Sequence, residues 1–409
     1  MVRHLVYFEA LGSLAENTEG WRRIFAGLVV LRLIDLSVSE SRQDSGVDAA
    51  TIHSVRSSVL ALADTDAAKP ILLSLVDAVE NGTGQERISE MLLGYARSLD
   101  YDSSWRLASD VLSTVVELAP ADTHPIAIDA NTMLGGVARR AGEWDRSAAG
   151  YASAAHAAAV IGDTARSLKA EVGMANTHVA HGNLPAAEKM LDTVVAEARE
   201  HELTDVLELA LHDRSTVAYN RGQFADALQF AYDALELAPG GTERDALLGD
   251  MGTIFAELGM RDAARDAHLI VSATSQSQWL VAQARINLME LAGFDGMEDA
   301  FDEYANSLAN VTLDPRHRAY YLLYLGQGQQ RFGRLDSAAR SLEEARVFAA
   351  SNGVHQVAFE AEKALAGLAK EWATWPSIPT APDHSEIPES TFRIARELTQ
   401  MRELAYANQ

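Results

Sequence analysis

A glycine that returns at a period of about 40 residues is the feature that most constrains how this chain folds. Gly142, Gly182 and Gly222 are evenly spaced, Gly259 continues the series, and Gly333 lies two units further on. Each of these glycines has a small residue five positions after it and another seven positions before it. Such self-similarity is typical of a repeat protein, in which each unit packs only against its neighbours.

Each repeat is interpreted as two helices, because apolar residues recur at helical spacing on both sides of the glycine. Glycine ends the first helix, since it adopts a positive φ at little cost. The small residue after the glycine lets the paired helices approach closely, and a larger residue four positions later fills the space beside it. These larger residues are Tyr151, Leu191 and Leu342. The small residues that should face them from the first helix are Gly135, Ala175, Ser215, Gly252 and Gly326.

Prolines mark the ends of two units, because proline cannot continue a helix interior. "VVELAP" ends at Pro120 and "ALELAP" ends at Pro239. One unit is out of phase by one or two positions around Asp295 and Gly296. The sequence therefore predicts an all-α solenoid built from antiparallel helix pairs.

This pattern resembles the signature of the tetratricopeptide repeat family. The resemblance rests on the glycine, the aromatic or aliphatic residue two positions later, the small residue beyond it and the terminal proline. The resemblance covers residues 85–351, and its period near 40 is longer than the usual 34 of the family. It is similar to the longer-helix subgroup seen in kinesin light chains, polarity-complex adaptors and bacterial peptide-sensing regulators. It implies a right-handed superhelix, with first helices lining a concave groove that holds a peptide.

The chain is expected to divide into five segments. They are an N-terminal helical region of degenerate repeats or a cap (1–84), the repeats (85–351), a capping helix (352–372), a Pro-rich linker (373–388) and a C-terminal amphipathic helix (389–409). The last helix carries Ile394, Leu398, Met401 and Ala405 on one stripe. Two alternatives stay open for it: it packs on its own chain, or it docks in a groove of this chain or another.

Composition excludes several classes of function. The chain has no cysteine, so disulfides and thiolate metal sites are absent. Its net charge of −24 disfavours nucleic-acid binding. No segment approaches the roughly 20 apolar residues that span a bilayer. The sequence has no P-loop, no Gly-x-Ser-x-Gly and no His-Glu-x-x-His. We expect a cytoplasmic, non-enzymatic protein that binds no cofactor, nucleic acid or membrane.

Three local patterns are interpreted as structural. His178 and His181 are one helical turn apart and could bind a metal with a third ligand, but their places favour packing and a helix end. The Gly-x-Gly within 325–330 indicates close helix packing rather than phosphate binding. Arg214 falls on the apolar side of its helix, where it could snorkel, pair with Asp213 or Asp245, or turn into the groove.

The stripe expected to face the groove supplies the candidate peptide-binding residues. They are Arg139, Arg140, Lys169, Asn176, His212, Tyr219, Asn220, Tyr320, Gln327, Gln330 and Arg331. Val172 and Leu323 lie on the same stripe. Asparagine can bond a peptide backbone and arginine can bind a carboxylate with two hydrogen bonds. We therefore expect an adaptor for a protein or peptide that carries an acidic side chain or a free C-terminal carboxylate.

Two other functions remain open at this stage. One is a regulatory sensor, in which a small peptide or the helix 389–407 changes the curvature of the solenoid. The other is an accessory subunit that contributes His178 or His181 to a partner's active site. A homodimer formed through an exposed end of the solenoid is a further possibility.

Overall fold

A computed structural model describes residues 3–40, 47–238, 240–370 and 387–407, and every regular element in these ranges is an α-helix. The chain divides into two compact units, unit 1 (Met1–Val206) and unit 2 (Leu207–Gln409). The all-α prediction is confirmed.

The described part of unit 1 contains ten helices. Their bounds are α1 (Leu5–Gly12), α2 (Glu19–Glu40), α3 (Ala49–Leu60), α4 (Ala68–Glu80), α5 (Gln85–Tyr101), α6 (Trp105–Leu118), α7 (Pro125–Arg140), α8 (Trp144–Val160), α9 (Thr164–Ala180) and α10 (Leu184–Glu200). The region 1–84, expected to be helical, contains α1, α2, α3 and α4. Pro120 follows the end of α6, as the helix-breaking role of proline predicts.

The described part of unit 2 contains ten more helices, the first of which starts just before the unit does. Their bounds are α11 (Thr204–Asn220), α12 (Phe224–Leu237), α13 (Gly241–Glu257), α14 (Arg261–Thr274), α15 (Gln278–Phe294), α16 (Glu298–Ala309), α17 (Pro315–Arg331), α18 (Leu335–Ser351), α19 (His355–Lys370) and α20 (Glu389–Ala407). Pro239 and residues 371–386, including most of the predicted linker, lie outside the described residues.

Helices pair as the repeat predicts. The glycines at the turns have positive φ angles, among them Gly142 at 75° and Gly222 at 74°. Within the pairs, the small residues of the first helix touch residues of the second. A Cβ on Gly135 would lie 2.7 Å from the ring of Tyr151. Ser215 donates a hydrogen bond of 2.8 Å to the carbonyl of Ala227, which joins α11 to α12.

The repeats form two layers in each unit. In unit 1, α7 contacts both α5 and α9; in unit 2, α15 contacts both α13 and α17, and α17 contacts α19. We call these odd-numbered helices, with α11, the first-helix layer. The even-numbered helices α6–α10 and α12–α18 form the second-helix layer. Because neighbouring first helices lie side by side, a polar residue on their free face has neighbours from adjacent repeats.

The C-terminal helix is docked on its own chain. Helix α20 packs on α14 and α12, which belong to the second-helix layer of unit 2. It buries Thr391, Ile394 and Leu398, so the predicted amphipathic stripe is the packed side. The structure thus has α20 packed on its own chain rather than on another, and the helix contacts the second helices rather than the first.

Helix α1 is held in unit 1 by an ion-pair network. The buried imidazole of His4 lies 2.5 Å from Asp110 of α6 and 3.0 Å from Asp35 of α2. Arg3 adds a contact of 2.7 Å to Asp35. Burial alone would lower the pKa of His4, but the two carboxylates raise it to about 9.

Candidate functional site

Carboxylates and tyrosines gather on the first-helix layer of unit 2. They come from five successive first helices, and we call them the inner-face cluster. Its members are Tyr219 (α11), Glu257 (α13), Glu290 (α15), Tyr320 and Tyr324 (α17) and Glu360 (α19). A site assembled from five repeats is long enough to follow an extended segment of another chain.

Hydrogen bonds connect the cluster across helices. The hydroxyl of Tyr219 donates to the carboxylate of Glu257 over 3.3 Å. Tyr324 is hydrogen-bonded to Glu290, which joins α17 to α15. The rings of Tyr320 and Tyr324 lie 5.7 Å apart at a tilt of 49°. The phenol rings are therefore held in place among the carboxylates, with part of their surface in contact with one another.

Glu290 is the electrostatic centre of the cluster. Burial raises its pKa to about 7; Arg331 lowers it, the nearby carboxylates of Glu360 and Glu257 raise it, and the hydrogen bond from Tyr324 lowers it. The net rise means that the protein's own cation does not compensate for burial and like charge. An added positive charge at this position would relieve both.

The pKa values of the tyrosines are raised by the same burial and negative charge. Burial and the charge of Glu257 raise the pKa of Tyr219 to about 12. Burial and the charge of Glu290 raise the pKa of Tyr324 well above its ordinary range. Both phenols therefore remain neutral at physiological pH, where their rings present a negative π face and their hydroxyls can donate.

His212, on the same first-helix layer, pairs with an aspartate of the next first helix. The Nε2 atom of His212 in α11 lies 2.7 Å from Oδ2 of Asp250 in α13. Burial alone would lower the pKa of His212, but the hydrogen bond and charge of Asp250 raise it above its ordinary value. His212, a predicted contact residue, is therefore engaged within the chain.

Arg331 was predicted to contact a ligand, but its guanidinium is stacked inside the protein. Its Cζ lies 3.6 Å from the ring centroid of Phe294, the last residue of α15. Burial lowers the pKa of Arg331, although the charge of Glu290 opposes that change. This cation–π contact fixes the arginine at one side of the cluster.

The candidate residues of unit 1 lie on a separate stretch of first helices. Arg140 is exposed and binds Asp100 of α5 with two hydrogen bonds, one of 2.8 Å. Lys169 is exposed, Asn176 is half-buried, and the Nε of Arg139 is buried without a hydrogen-bond partner in the described part of the chain. The guanidinium of Arg140 is thus already bound by a carboxylate of its own chain.

The remaining predicted residues divide between the surface and the core. In unit 2, Asn220 is exposed, whereas Gln327 and Gln330 are half-buried on α17, the helix that carries Tyr320 and Tyr324. Val172 and Leu323, placed on the groove stripe by the sequence, are 1% and 0% exposed and belong to the core. Helical spacing alone placed these two on the wrong side, because residues next to each other around the helix can belong one to the core and the other to the groove.

The other local patterns are structural. Arg214 is buried, and its guanidinium lies 4.7 Å from the ring centroid of Phe230. The ring of His181 lies 5.8 Å from that of Trp144, the first residue of α8. Across the described ranges, no group of three or more histidine and carboxylate side chains could hold a metal ion. No described helix is both long and apolar enough to cross a membrane.

Sequence reasoning missed the carboxylates of the cluster. Glu257 stands two positions before Gly259, the same place that Asn220 takes before Gly222 and Arg140 before Gly142. Extending the groove stripe to α13 would therefore have found it. Gly296 has a φ of 70° and lies midway between Gly259 and Gly333, so its unit keeps the register, contrary to the expectation from the sequence. Glu290 stands six positions before it, as Asn176 does before Gly182, so extending the stripe to α15 would have found it as well.

No protein-family model matches the chain, and no curated protein matches its sequence. Solved structures similar to it include a tetratricopeptide repeat protein from Parabacteroides merdae, with 14% identity, TM-score 0.44, and coverage of 67% of this chain and 98% of that one. A second is a Rap protein complexed with Competence and Sporulation Factor, with 12% identity, TM-score 0.47, and coverage of 85% of this chain and 98% of that one. A third is NprR in complex with its cognate peptide NprX, with 11% identity, TM-score 0.47, and coverage of 80% of this chain and 89% of that one. The first of these structures is described as a tetratricopeptide repeat protein, and at these identities the similarity is one of fold alone.

Proposed function

We propose that the chain is a non-enzymatic protein that binds a peptide or a segment of another protein along the first-helix layer of unit 2. The observation that carries this proposal is the inner-face cluster, which brings three carboxylates and three tyrosines from five helices to one face. Stacked repeats hold such a face in a fixed arrangement, so little ordering is needed on binding.

The chemistry of the cluster favours a cationic ligand. The pKa of Glu290 is raised to about 7 because the carboxylate is buried beside two others, and a lysine or arginine side chain would compensate that charge. Tyrosine faces attract the same group through cation–π interaction. The acidic ligand expected from the sequence has less support, because Arg140 is bound by Asp100 and Arg331 is stacked on Phe294.

The regulatory alternative suggested by the sequence had two forms, a small peptide or the helix 389–407 as the ligand, and the position of α20 favours the first. A sensor whose own C-terminal helix fills the groove would need α20 on the first-helix layer. Helix α20 instead contacts α12 and α14 of the second-helix layer. Helix α20 therefore does not occupy the inner-face cluster.

A peptide-display selection on the full-length protein tests the proposal. A random library would be selected on the wild type and counter-selected on a Glu257→Gln/Glu290→Gln variant. The control is Glu303→Gln/Glu362→Gln, which makes the same charge change at two exposed positions away from the cluster. We expect enriched peptides to contain lysine or arginine and to bind the control but not the cluster variant. Enrichment of acidic peptides, or equal binding to all three proteins, would contradict it.

A further inference from the structure

The second-helix layer of unit 2 contains a groove that fits a helix. Helix α14 buries Ala263, Asp266, Ala267 and Ile270 in addition to the stripe that faces its own pair. By comparison, α18 buries only the single stripe Ala338, Leu342, Ala345 and Ala349. The extra buried side of α14 is covered by α20, which also contacts α12. Helix α14, which lines the groove between α12 and α14, thus has a second buried side that α18 does not have.

Recognition in this groove depends on a buried carboxylate. Asp266 of α14 is 5% exposed, and its two oxygens accept hydrogen bonds from Thr399 Oγ1 at 2.8 Å and Arg402 Nη1 at 2.6 Å. A buried carboxylate without such donors is strongly disfavoured, so the groove selects helices that supply them. On α12, the hydroxyl of Tyr232 makes a further hydrogen bond to Glu397.

The apolar anchors of α20 have a simple spacing. Ile394 and Leu398 are 1% and 0% exposed, and they are one helical turn apart. Arg402 follows one turn later, on the same side of the helix. A helix in a groove is typically recognised through anchors at such positions. The pattern is an aliphatic residue, a second one at i+4, a hydroxyl residue at i+5 and an arginine at i+8.

The end of α20 leaves a cavity of about 580 Å³ next to the groove, between α13, α14 and the residues Met401 and Ala405. Leu248 and Ile270 form its apolar wall, and Arg244 and Asp245 of α13 line its polar side. Leu404, which borders the same cavity, is 65% exposed. A competing helix with a larger side chain at the position of Ala405 would gain contacts that α20 does not make.

Helix α20 follows a connection whose sequence predicts a Pro-rich linker, residues 371–388 after the end of α19. Such a tether keeps the helix near the groove at an effective concentration of about millimolar. The docked helix is therefore an intramolecular competitor for any helix of the same pattern.

We propose that the groove between α12 and α14 is a docking site for an amphipathic helix of a partner protein, and that α20 occupies it until that helix displaces it. The partner helix carries the pattern of α20, with a larger apolar residue at the position of Ala405. This site is on the opposite layer from the inner-face cluster, so the proposal stands or falls separately from the proposed function.

A defined peptide tests this proposal by fluorescence anisotropy. The probe is a labelled synthetic peptide of residues 387–407, titrated with the full-length wild type and with a full-length Ile394→Glu/Leu398→Glu variant, whose own α20 cannot dock. The groove itself is unchanged in both proteins, and circular dichroism verifies that the variant keeps its helical content. The matched control variant is Arg393→Glu/Arg396→Glu, which changes two exposed residues of α20.

The competition predicts a defined order of affinities. The peptide should bind the Ile394→Glu/Leu398→Glu variant at least ten times more tightly than it binds the wild type or the control, because the tethered helix competes only in the latter two. A peptide with Arg402→Glu should lose at least tenfold on that variant, and one with Ala405→Phe should gain. Equal affinity for wild type and folded variant, no binding to the folded variant, or equal binding of the Arg402→Glu peptide would each overturn the proposal.

Discussion

Gly326 of α17 faces Leu342 of α18 so closely that a Cβ on Gly326 would lie 2.7 Å from the Cγ of Leu342. Leu342 is fully buried, and its backbone nitrogen is 3.1 Å from the same point, so the neighbour is fixed from two directions. The same relationship joins Gly135 to Tyr151, at the same separation along the chain. The helix pair in each of these two repeats is therefore organised around a position where only a small residue fits.

Alanine at position 326 should destabilise unit 2. Overpacking against Leu342 costs about 1–3 kcal/mol, which outweighs the roughly 1 kcal/mol that alanine gains over glycine in a helix. The matched control is Gly249→Ala in α13, where no atom lies within 4 Å of the added Cβ. That substitution should stabilise the protein by about 0.5–1 kcal/mol. Urea denaturation measures both, and two changes of the same sign would contradict the packing explanation.

The repeat made the helix pairs predictable because its spacing reports local contacts. Glycine at a positive φ and a small residue against a large one are requirements within a single helix pair, so Gly142, Gly326 and Leu342 could be placed from sequence alone. The docking of α20 on α14 was left open, since its amphipathic stripe shows that it packs but carries no information about the surface it packs on.

The candidate site was less predictable, because it depends on contacts between repeats. Arg140 and Arg331 were correctly placed on first helices, but nothing in the sequence showed that Asp100 and Phe294 would engage them. Glu290 was missed because the groove stripe was not extended to α15, although it stands six positions before Gly296 as Gln327 does before Gly333. The charge of a groove follows from which side chains of adjacent repeats become neighbours, and this requires the three-dimensional arrangement.

His4 should make the stability of unit 1 depend on pH. Its pKa is raised from 6.5 to about 9 by Asp110 and Asp35, so the folded state holds a proton that the unfolded state releases. The resulting stabilisation, at most about 3 kcal/mol, is complete below pH 6.5 and is lost as pH rises through 9. We expect the difference in unfolding free energy between wild type and His4→Gln to shrink between pH 6 and 10.

The control for His4 is His53→Gln, at an exposed position of α3. Its difference from the wild type should stay constant over the same pH range in urea denaturation. A His4→Gln difference that does not change with pH would mean that the buried imidazole is not charged in the folded protein.

Glu290 should lower the free energy of unfolding at neutral pH, as residues of binding sites often do. Because its pKa is raised to about 7, the folded state favours the protonated form, and stability is lost as pH rises from 4.5 through 7. Glu290→Gln removes this loss and should be more stable than the wild type above pH 7, by up to about 3 kcal/mol. The two proteins should be nearly equal at pH 4.5. Glu303→Gln, at an exposed position of α16, should show no such trend in thermal unfolding.

A cationic peptide obtained by selection on the inner-face cluster should bind more tightly as pH rises. Glu290 gains its negative charge around pH 7. His212, whose pKa is raised above its ordinary value by Asp250, loses its positive charge as pH rises. Both changes favour the binding of a cation at higher pH. The charged groups that face Glu290 are Glu257 on α13, Arg331 on α17 and Glu360 on α19. We expect the affinity to rise up to about tenfold between pH 6 and 8.

Isothermal titration calorimetry at pH 6, 7 and 8 separates the two titrating groups. With Glu290→Gln, the part of the pH dependence due to the carboxylate should disappear, and any part due to His212 should remain. A peptide in which the lysine is acetylated should bind weakly at every pH, because it offers no charge to the cluster. If the acetylated peptide instead keeps the full affinity and its pH dependence, the tyrosines bind through apolar contact, and the cluster does not recognise a cation.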